Sequence, residues 1–363
     1  MKSKILTGII LFVGIPLVRA QVANTAFIDS SGGETLGKLH ISGWMDAYYA
    51  KSSNGYWNQT AVPPVVPNLV SSSVFNAVDI NLAYLDFRYS TDRLKIRMVP
   101  AFGSYMDKNY TGNNSLRQLM EASLGFKPFY KKDIWIEAGL IGSPFTNENP
   151  VSRDQLIYSR SLAAEYSPYY LTGAKVTAPL SSKLKGSFYV LNGWQTIYEE
   201  IHLPPAMATQ LEFTINKNNL INWNVYLQDR GNANRFFSDI YWIGTANKWK
   251  FSSCVYVGND EPKVKTTIPP VSFFQRDGFW CNANFSTSYN FTEKSSICAR
   301  VEYFQDLNKN IYGKIFGTSL GFNKKLYNQL FWRTECKLWL TESSKTLSRS
   351  NVFNAYTSIG IGF

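Results

Sequence analysis

The most constraining feature of this chain is a repeated alternation. From about residue 36 onward, segments of ~10 residues switch between apolar and polar side chains position by position, and clusters of turn residues separate them. Successive side chains of a β-strand point to opposite faces, so each segment presents one apolar and one polar side. Sixteen such segments can be read, at 36–49, 78–89, 94–105, 116–126, 134–142, 169–179, 184–193, 206–215, 220–228, 235–243, 248–258, 276–289, 295–304, 311–322, 328–340 and 351–363. In 220–228, Ile221, Trp223, Val225 and Leu227 oppose Asn222, Asn224, Tyr226 and Gln228. In 328–340, Leu330, Trp332, Cys336, Leu338 and Leu340 oppose Arg333, Glu335 and Lys337. Segment 78–89 departs from the rule, because Asp86 and Arg88 fall in phase with Ile80 and Leu82; a β-bulge near Tyr84 would restore it.

Connector length alternates as well. Connectors after even-numbered segments are short and turn-like (90–93, 181–183, 216–219, 291–294, 323–327), and those after odd-numbered ones run longer on average (50–77, 106–115, 143–168, 194–205, 259–275, 341–350). A transmembrane barrel predicts this pattern, with short turns on the periplasmic side and longer loops outside; a soluble sandwich has no reason for it. Composition agrees. Charged residues make up 17% of the chain, below the ~25% of soluble domains, and aromatic residues reach 15%. That aromatic content excludes disorder. Past residue 20 no apolar run approaches the ~18 residues of a membrane helix. The predicted fold is all-β: a transmembrane antiparallel β-barrel of about sixteen strands over 36–363, wide enough for an aqueous lumen.

The two ends give the destination. Residues 1–20 have a basic start (Lys2, Lys4), an apolar stretch from Ile5 to Val18 and a small-x-small site at Val18-Arg19-Ala20, which together read as a cleaved secretory signal peptide. Its removal lowers the formal charge from +11 to +8 and leaves 21–35 as a short periplasmic segment, too small for the plug domain of an energy-coupled transporter. At the other end, Phe353, Ala355, Thr357, Ile359, Ile361 and Phe363 share one face. An alternating strand with a terminal Phe resembles the signal that outer-membrane proteins show to the barrel-assembly machinery. The cell outer membrane and its lipid are the expected environment.

Connector 143–168 breaks strand periodicity and reads as short helical pieces over 151–165, with Asn149-Pro150 before them and Ser167-Pro168 as a stop. It carries Arg153, Asp154, Arg160 and Glu165. One reading has this loop inside the barrel as a pore constriction, with Arg153 and Arg160 facing wall charges across a transverse field. The other has an ordinary surface loop. The faces assigned inward carry ten basic groups (Lys38, Lys95, Arg97, Arg117, Lys175, Lys185, Lys250, Arg300, Arg333, Lys337) and six acidic ones (Asp46, Glu121, Glu137, Glu212, Glu302, Glu335). That excess predicts a weak preference for anions.

Other chemistry finds little support. Cys254 and Cys298 fall on inward faces and Cys281 and Cys336 on outward ones, an arrangement expected of free thiols. The only histidines, His40 and His202, have no convincing Ser/Asp set beside them, so a barrel-borne hydrolase is disfavoured. The pI near 9.3 comes from dispersed charges, which argues against nucleic acid as a partner. No cofactor or metal is called for.

GWMDAYYA at 43–50, NLAYLDF at 81–87, IWIEAGLIGSPF at 134–145, SRSLAAEYSPYYLTGAK at 159–175 and LNGWQ at 191–195 resemble motifs of an outer-membrane porin family of Bacteroidota-type bacteria, the putative β-barrel porin-2, OmpL-like family. The resemblance is strongest between about residues 40 and 195. It implies passive diffusion of small hydrophilic solutes and ions, without a cofactor or catalytic residues. It assigns no solute and no pore residues. Such porins are often homotrimers. The rival reading is a structural or adhesive barrel whose lumen is blocked by loop 143–168.

Overall fold

A computed structural model describes residues 37–53, 69, 71–110, 115–198, 203–263, 278–306, 314–342 and 349–363. The expected signal peptide 1–20, segment 21–35, most of loop 50–77 and His202 lie outside the described residues.

All sixteen expected strands form. They are β1 (Lys38–Ser52), β2 (Val78–Ser90), β3 (Leu94–Phe102), β4 (Leu119–Phe126), β5 (Trp135–Gly142), β6 (Tyr170–Pro179), β7 (Leu184–Leu191) and β8 (Ala206–Asn216). The second half comprises β9 (Asn219–Asp229), β10 (Ala233–Ala246), β11 (Trp249–Pro262), β12 (Gly278–Asn290), β13 (Ser295–Asp306), β14 (Lys314–Lys325), β15 (Leu330–Glu342) and β16 (Arg349–Gly362). Each strand pairs antiparallel with its sequence neighbours, and β1 pairs with β16 to close the barrel. At this seam Trp44 stands opposite Gly362, and the backbones of Gly43 and Phe363 exchange hydrogen bonds of 3.1 and 3.2 Å. Closure removes every free sheet edge, which a lipid environment demands because hydrocarbon cannot hydrogen-bond an unpaired strand.

The connectors follow the expected asymmetry with two exceptions, 127–134 being the longest of the even set and 230–232 a short one in the odd set. Of the two two-residue turns among the described residues, Asn247-Lys248 between β10 and β11 places Asn247 at φ +53°, the left-handed conformation that such a hairpin needs and that asparagine tolerates.

The outer surface is apolar, as the alternation requires. Ile240, Val255, Val301 and Leu320 are exposed at mid-strand positions. Aromatic rings gather at the strand ends. At the short-turn end Trp249 lies 4.8 Å from Tyr289, Trp242 5.8 Å from Phe251, and Phe322 5.8 Å from Trp332. At the long-loop end Tyr49, Phe236, Phe279, Phe316 and Phe353 are exposed. Two aromatic girdles around an apolar band are what amphipathic rings form at membrane–water interfaces.

Inside, large and small side chains are matched. Trp44, Trp280 and Trp339 point into the barrel, and each covers a glycine of the neighbouring strand. A Cβ on Gly258 would come 2.2 Å from Trp280, one on Gly317 2.6 Å from Trp339, and one on Gly360 2.3 Å from Trp44. Indole rings can lie flat on the wall only where the neighbouring residue has no side chain.

The phase slip in β2 is real but sits earlier than expected. Register shifts opposite Asp46/Ala47, where Leu82 pairs with Asp46 and Ile80 with Ala47, so the extra residue is Asn81 and not one near Tyr84. Leu82 faces inward and is fully buried, in a cluster with Val99, Tyr105 and Met106. That cluster is built by a short helix, α1 (Ser104–Asn109), tucked against β2 and β3.

Candidate functional site

The connector between β5 and β6 runs through the interior of the barrel. It contains a 3-10 turn at Ser152–Asp154 and a short helix, α2 (Leu162–Glu165), as expected for 151–165. Local hydrogen bonds shape it: Asn149 Oδ1 accepts from the Val151 amide at 2.8 Å, and the Ser167 hydroxyl donates to the Ala164 carbonyl at 3.1 Å.

The loop is anchored along most of the wall. Asn224 of β9 donates to the Pro144 carbonyl (3.0 Å), and Asp239 of β10 accepts from the Thr146 amide (2.9 Å). The Asn147 amide donates to Ser252 of β11 (2.8 Å) and Asn284 of β12 (2.9 Å). Arg333 of β15 donates to the carbonyls of Ser152 and Gln155, and Asn323 of β14 to that of Leu156 (2.9 Å). Tyr158 reaches β1, where its hydroxyl donates to Asp46 at 3.3 Å. Burial, reinforced by the Asp46 charge, pushes the Tyr158 phenol well above its ordinary pKa, so it stays a donor.

The strongest anchor is a charge lattice between the loop and β13–β15. Arg300 lies 3.1 Å from Glu302, 3.2 Å from Glu335 and 3.4 Å from Glu148 of the loop, and it donates to the Ser159 carbonyl at 2.7 Å. Glu335 accepts from the Ser159 amide (2.6 Å) and hydroxyl (2.8 Å), and Glu302 from the Leu162 amide (2.5 Å). Lys337 lies 3.4 Å from Glu302 and donates to the Arg160 carbonyl at 3.1 Å. The Arg300, Glu302, Glu335 and Lys337 side chains are fully buried. Charges removed from water cost several kcal/mol each unless their partners are in place, so the lattice holds the loop in one geometry.

The expected pore residues therefore separate into groups. Arg300, Glu302, Arg333, Glu335 and Lys337 come together as loop anchors and do not line open water. Lys95, Glu137 and Lys175 form a triad on the opposite wall, with Glu137 3.1 and 3.2 Å from the two lysines. Arg97 bridges Asp86 (2.9 Å) and Glu121 (2.5 Å). Arg117 is not on a strand face: it sits in the 3-10 turn Ser115–Gln118 before β4, 4.0 Å from Asp107. The segment expected as strand from 116 begins at Leu119, because the chain first closes that turn.

The loop charges also diverge. Arg153 lies 5.2 Å from the Trp44 ring by the seam and pairs with Asp154 at 3.5 Å. Arg160 is buried 4.4 Å from the Tyr169 ring and 5.9 Å from that of Tyr105, and Glu165 accepts from the Tyr169 hydroxyl at 3.0 Å. Two small cavities flank the loop, each of about 30 Å³. One is lined by Arg160 of the loop and Glu121 of the wall, the other by Asp154 of the loop and Lys250 of the wall. Each thus sets a loop charge against a wall charge of opposite sign, and the two polarities are reversed.

Sequence reasoning missed several members. Glu148, Tyr158 and Ser159 anchor the loop; Asp86, Asp239, Asp260 and Arg235 are buried lumen-facing charges that the tally omitted, and Arg88 is a half-buried one. With these included, and with Arg117 and the exposed Lys38 removed, the expected basic excess nearly vanishes. Arg235 and Arg230 are tied to Asp260 at 2.6 and 2.8 Å.

Comparison with known proteins matches this architecture. No curated protein sequence matches the chain. Among solved structures, the outer-membrane channel DcaP of Acinetobacter baumannii superposes with a TM-score of 0.60 at 9% identity, covering 90% of this chain and 97% of its own. An anion-selective porin from Comamonas acidovorans gives 0.59 at 9% identity, covering 90% and 100%. OprB of Pseudomonas putida gives 0.55 at 9%, covering 90% and 94%. The family described as putative beta-barrel porin-2, OmpL-like, matches residues 38–361. The chain belongs to that family and is an outer-membrane porin.

Proposed function

We propose that the protein is a passive, weakly anion-preferring porin, exported through a cleaved signal peptide at 1–20, in which loop 143–168 forms the constriction. The observation that carries the reading is the course of the loop, pinned inside the barrel from β1 to β15. Small hydrophilic solutes and ions would pass beside it, driven by their own gradients. Support for anion preference comes from exposure and not from the charge tally. In most lumen ion pairs the cation is the more exposed partner: Arg88 at 21% against Asp86 at 3%, Lys185 at 20% against Glu212 at 6%, Arg153 at 31% against Asp154 at 12%. Lys175 with Glu137 and Arg300 with Glu148 are counter-examples. Water in the lumen thus meets more cationic than anionic surface, which concentrates anions locally. The Comamonas acidovorans porin with the same fold is described as anion-selective.

A reversal-potential measurement across a planar bilayer in a KCl gradient tests this, and clear cation preference overturns it. The loop's hydrogen bonds to β1, β10 and β15, on well-separated parts of the wall, favour a second reading, a lumen closed at the level of the loop. Deleting 151–165 separates the two: the porin reading expects conductance in the intact chain and a severalfold rise on deletion, whereas a closed lumen conducts only after deletion. Assembly as a homotrimer is part of the proposal, and cross-linking of the detergent-extracted protein checks it.

A further inference from the structure

The two cavities described beside the loop are alike in size and differ in the charges that line them. The Arg160 cavity is walled by the buried Tyr110, Glu121, Phe145 and Tyr169 and by the half-buried Ser143 and Pro150. The cavity on the far side is bounded by the partly buried Asp154, Leu156 and Lys250 and by the buried Glu148, Ser252 and Ser286. Lys250 is unusual on this wall. Its neighbours across the sheet are Thr245 and Ser288, and it has no ion-pair partner among the described residues. The other cations lining the lumen wall on β3, β6 and β7 are held by carboxylates. The buried Ser286 hydroxyl, which lines the same space, has no hydrogen-bond partner either.

We infer that the passage for solutes runs between loop residues 154–156 and β10–β12, and that Lys250 with Ser286 forms a transit site there for small anions. The inference rests on the porin reading above and names its selectivity residue. An unpaired ammonium in a confined space attracts an anion more strongly than a paired one, since no carboxylate in direct contact neutralises it. The Ser286 hydroxyl supplies a donor to an anion shedding water. Asp154 and Glu148 on the loop side weaken the hold, so the anion leaves again, as conduction requires.

The test is the chloride-to-potassium permeability ratio in a KCl gradient, for the wild type, Lys250→Gln, Lys250→Glu and Glu121→Gln. Because Lys250 has no partner to orphan, both of its variants should fold, which heat-modifiable migration on a gel verifies. The expected result is a ratio reduced severalfold in Lys250→Gln and pushed below one in Lys250→Glu, each a larger change than in Glu121→Gln. Folded Lys250 variants with the wild-type ratio overturn the inference while leaving the porin reading intact. A ratio that moves only in Glu121→Gln overturns it by assigning the passage to the Arg160 side. A cation-preferring wild type instead defeats the anion reading itself.

Discussion

Replacing Arg300 with methionine isolates what holds the loop inside the barrel. The change removes a fully buried guanidinium in ion-pair contact with Glu148, Glu302 and Glu335, together with its hydrogen bond to the Ser159 carbonyl. Three carboxylates are left facing one another with Lys337 as the remaining buried cation. Removing one partner from a buried ion pair costs about 3–5 kcal/mol. If that cost falls on the docked loop, its equilibrium with a released loop moves by ~2–4 decades. In single-channel recordings, Arg300→Met should then show a long-lived state of higher conductance that the wild type visits rarely. Arg300 lies on the wall, so Glu148→Gln gives the complementary view from the loop. It keeps one acceptor for the Ser161 amide and hydroxyl, now 2.6 and 2.7 Å from Glu148, and should give a weaker version of the same change. Recordings of folded Arg300→Met indistinguishable from wild type in conductance and open-channel noise would refute the anchoring argument.

Two further predictions concern the barrel itself. Gly360→Val places a Cβ 2.3 Å from the Trp44 ring, which is already backed by Phe331 at 5.7 Å and Arg153, so overpacking should cost ~1–3 kcal/mol and lower the temperature at which the folded gel band disappears. Unchanged thermal behaviour would mean that the seam is looser than described. Val301→Arg puts a charge on the outward face in the middle of β13, at a cost of ~2–4 kcal/mol if it lies at the bilayer midplane. Urea unfolding from lipid vesicles should show this loss, and no loss would place Val301 near an interface.

The strands and their faces were legible because the rule behind them is local: a two-residue period, with lipid on one side and water on the other. The inward pointing of Arg333, Glu335 and Lys337 and the outward pointing of Trp223 and Val301 followed from position parity alone. The rule failed at Leu82. Alternation treats a leucine as lipid-facing, whereas this one fills space beneath α1, a packing partner that periodicity does not register. The same gap displaced the bulge from Asn81 to the neighbourhood of Tyr84. The helical pieces of loop 143–168 were readable from Asn149-Pro150 and Ser167-Pro168, but its placement was not. The loop's hydrogen bonds reach residues up to 181 positions away, and no local signal encodes such distances. One clue was available: Arg300, Glu302, Glu335 and Lys337 crowd the inward faces of strands only one apart, a density of charge that calls for partners. Arg160 was expected to project into the pore, yet a guanidinium also packs well against Tyr169, and sequence does not separate the two outcomes.

The order of events during biogenesis follows from where the loop leans. Thr146 bonds to a residue 93 positions downstream, and the contacts of Ser159 with Glu335 span 176. The strap is therefore synthesised long before the surface that receives it, and it cannot settle until the second half of the cylinder exists. Closing such distant contacts is slow, since chain entropy is lost before the contacts form. A nascent chain halted before β13 would carry an unmoored strap beside an open sheet. Docking of the strap is thus among the last steps in folding the cylinder.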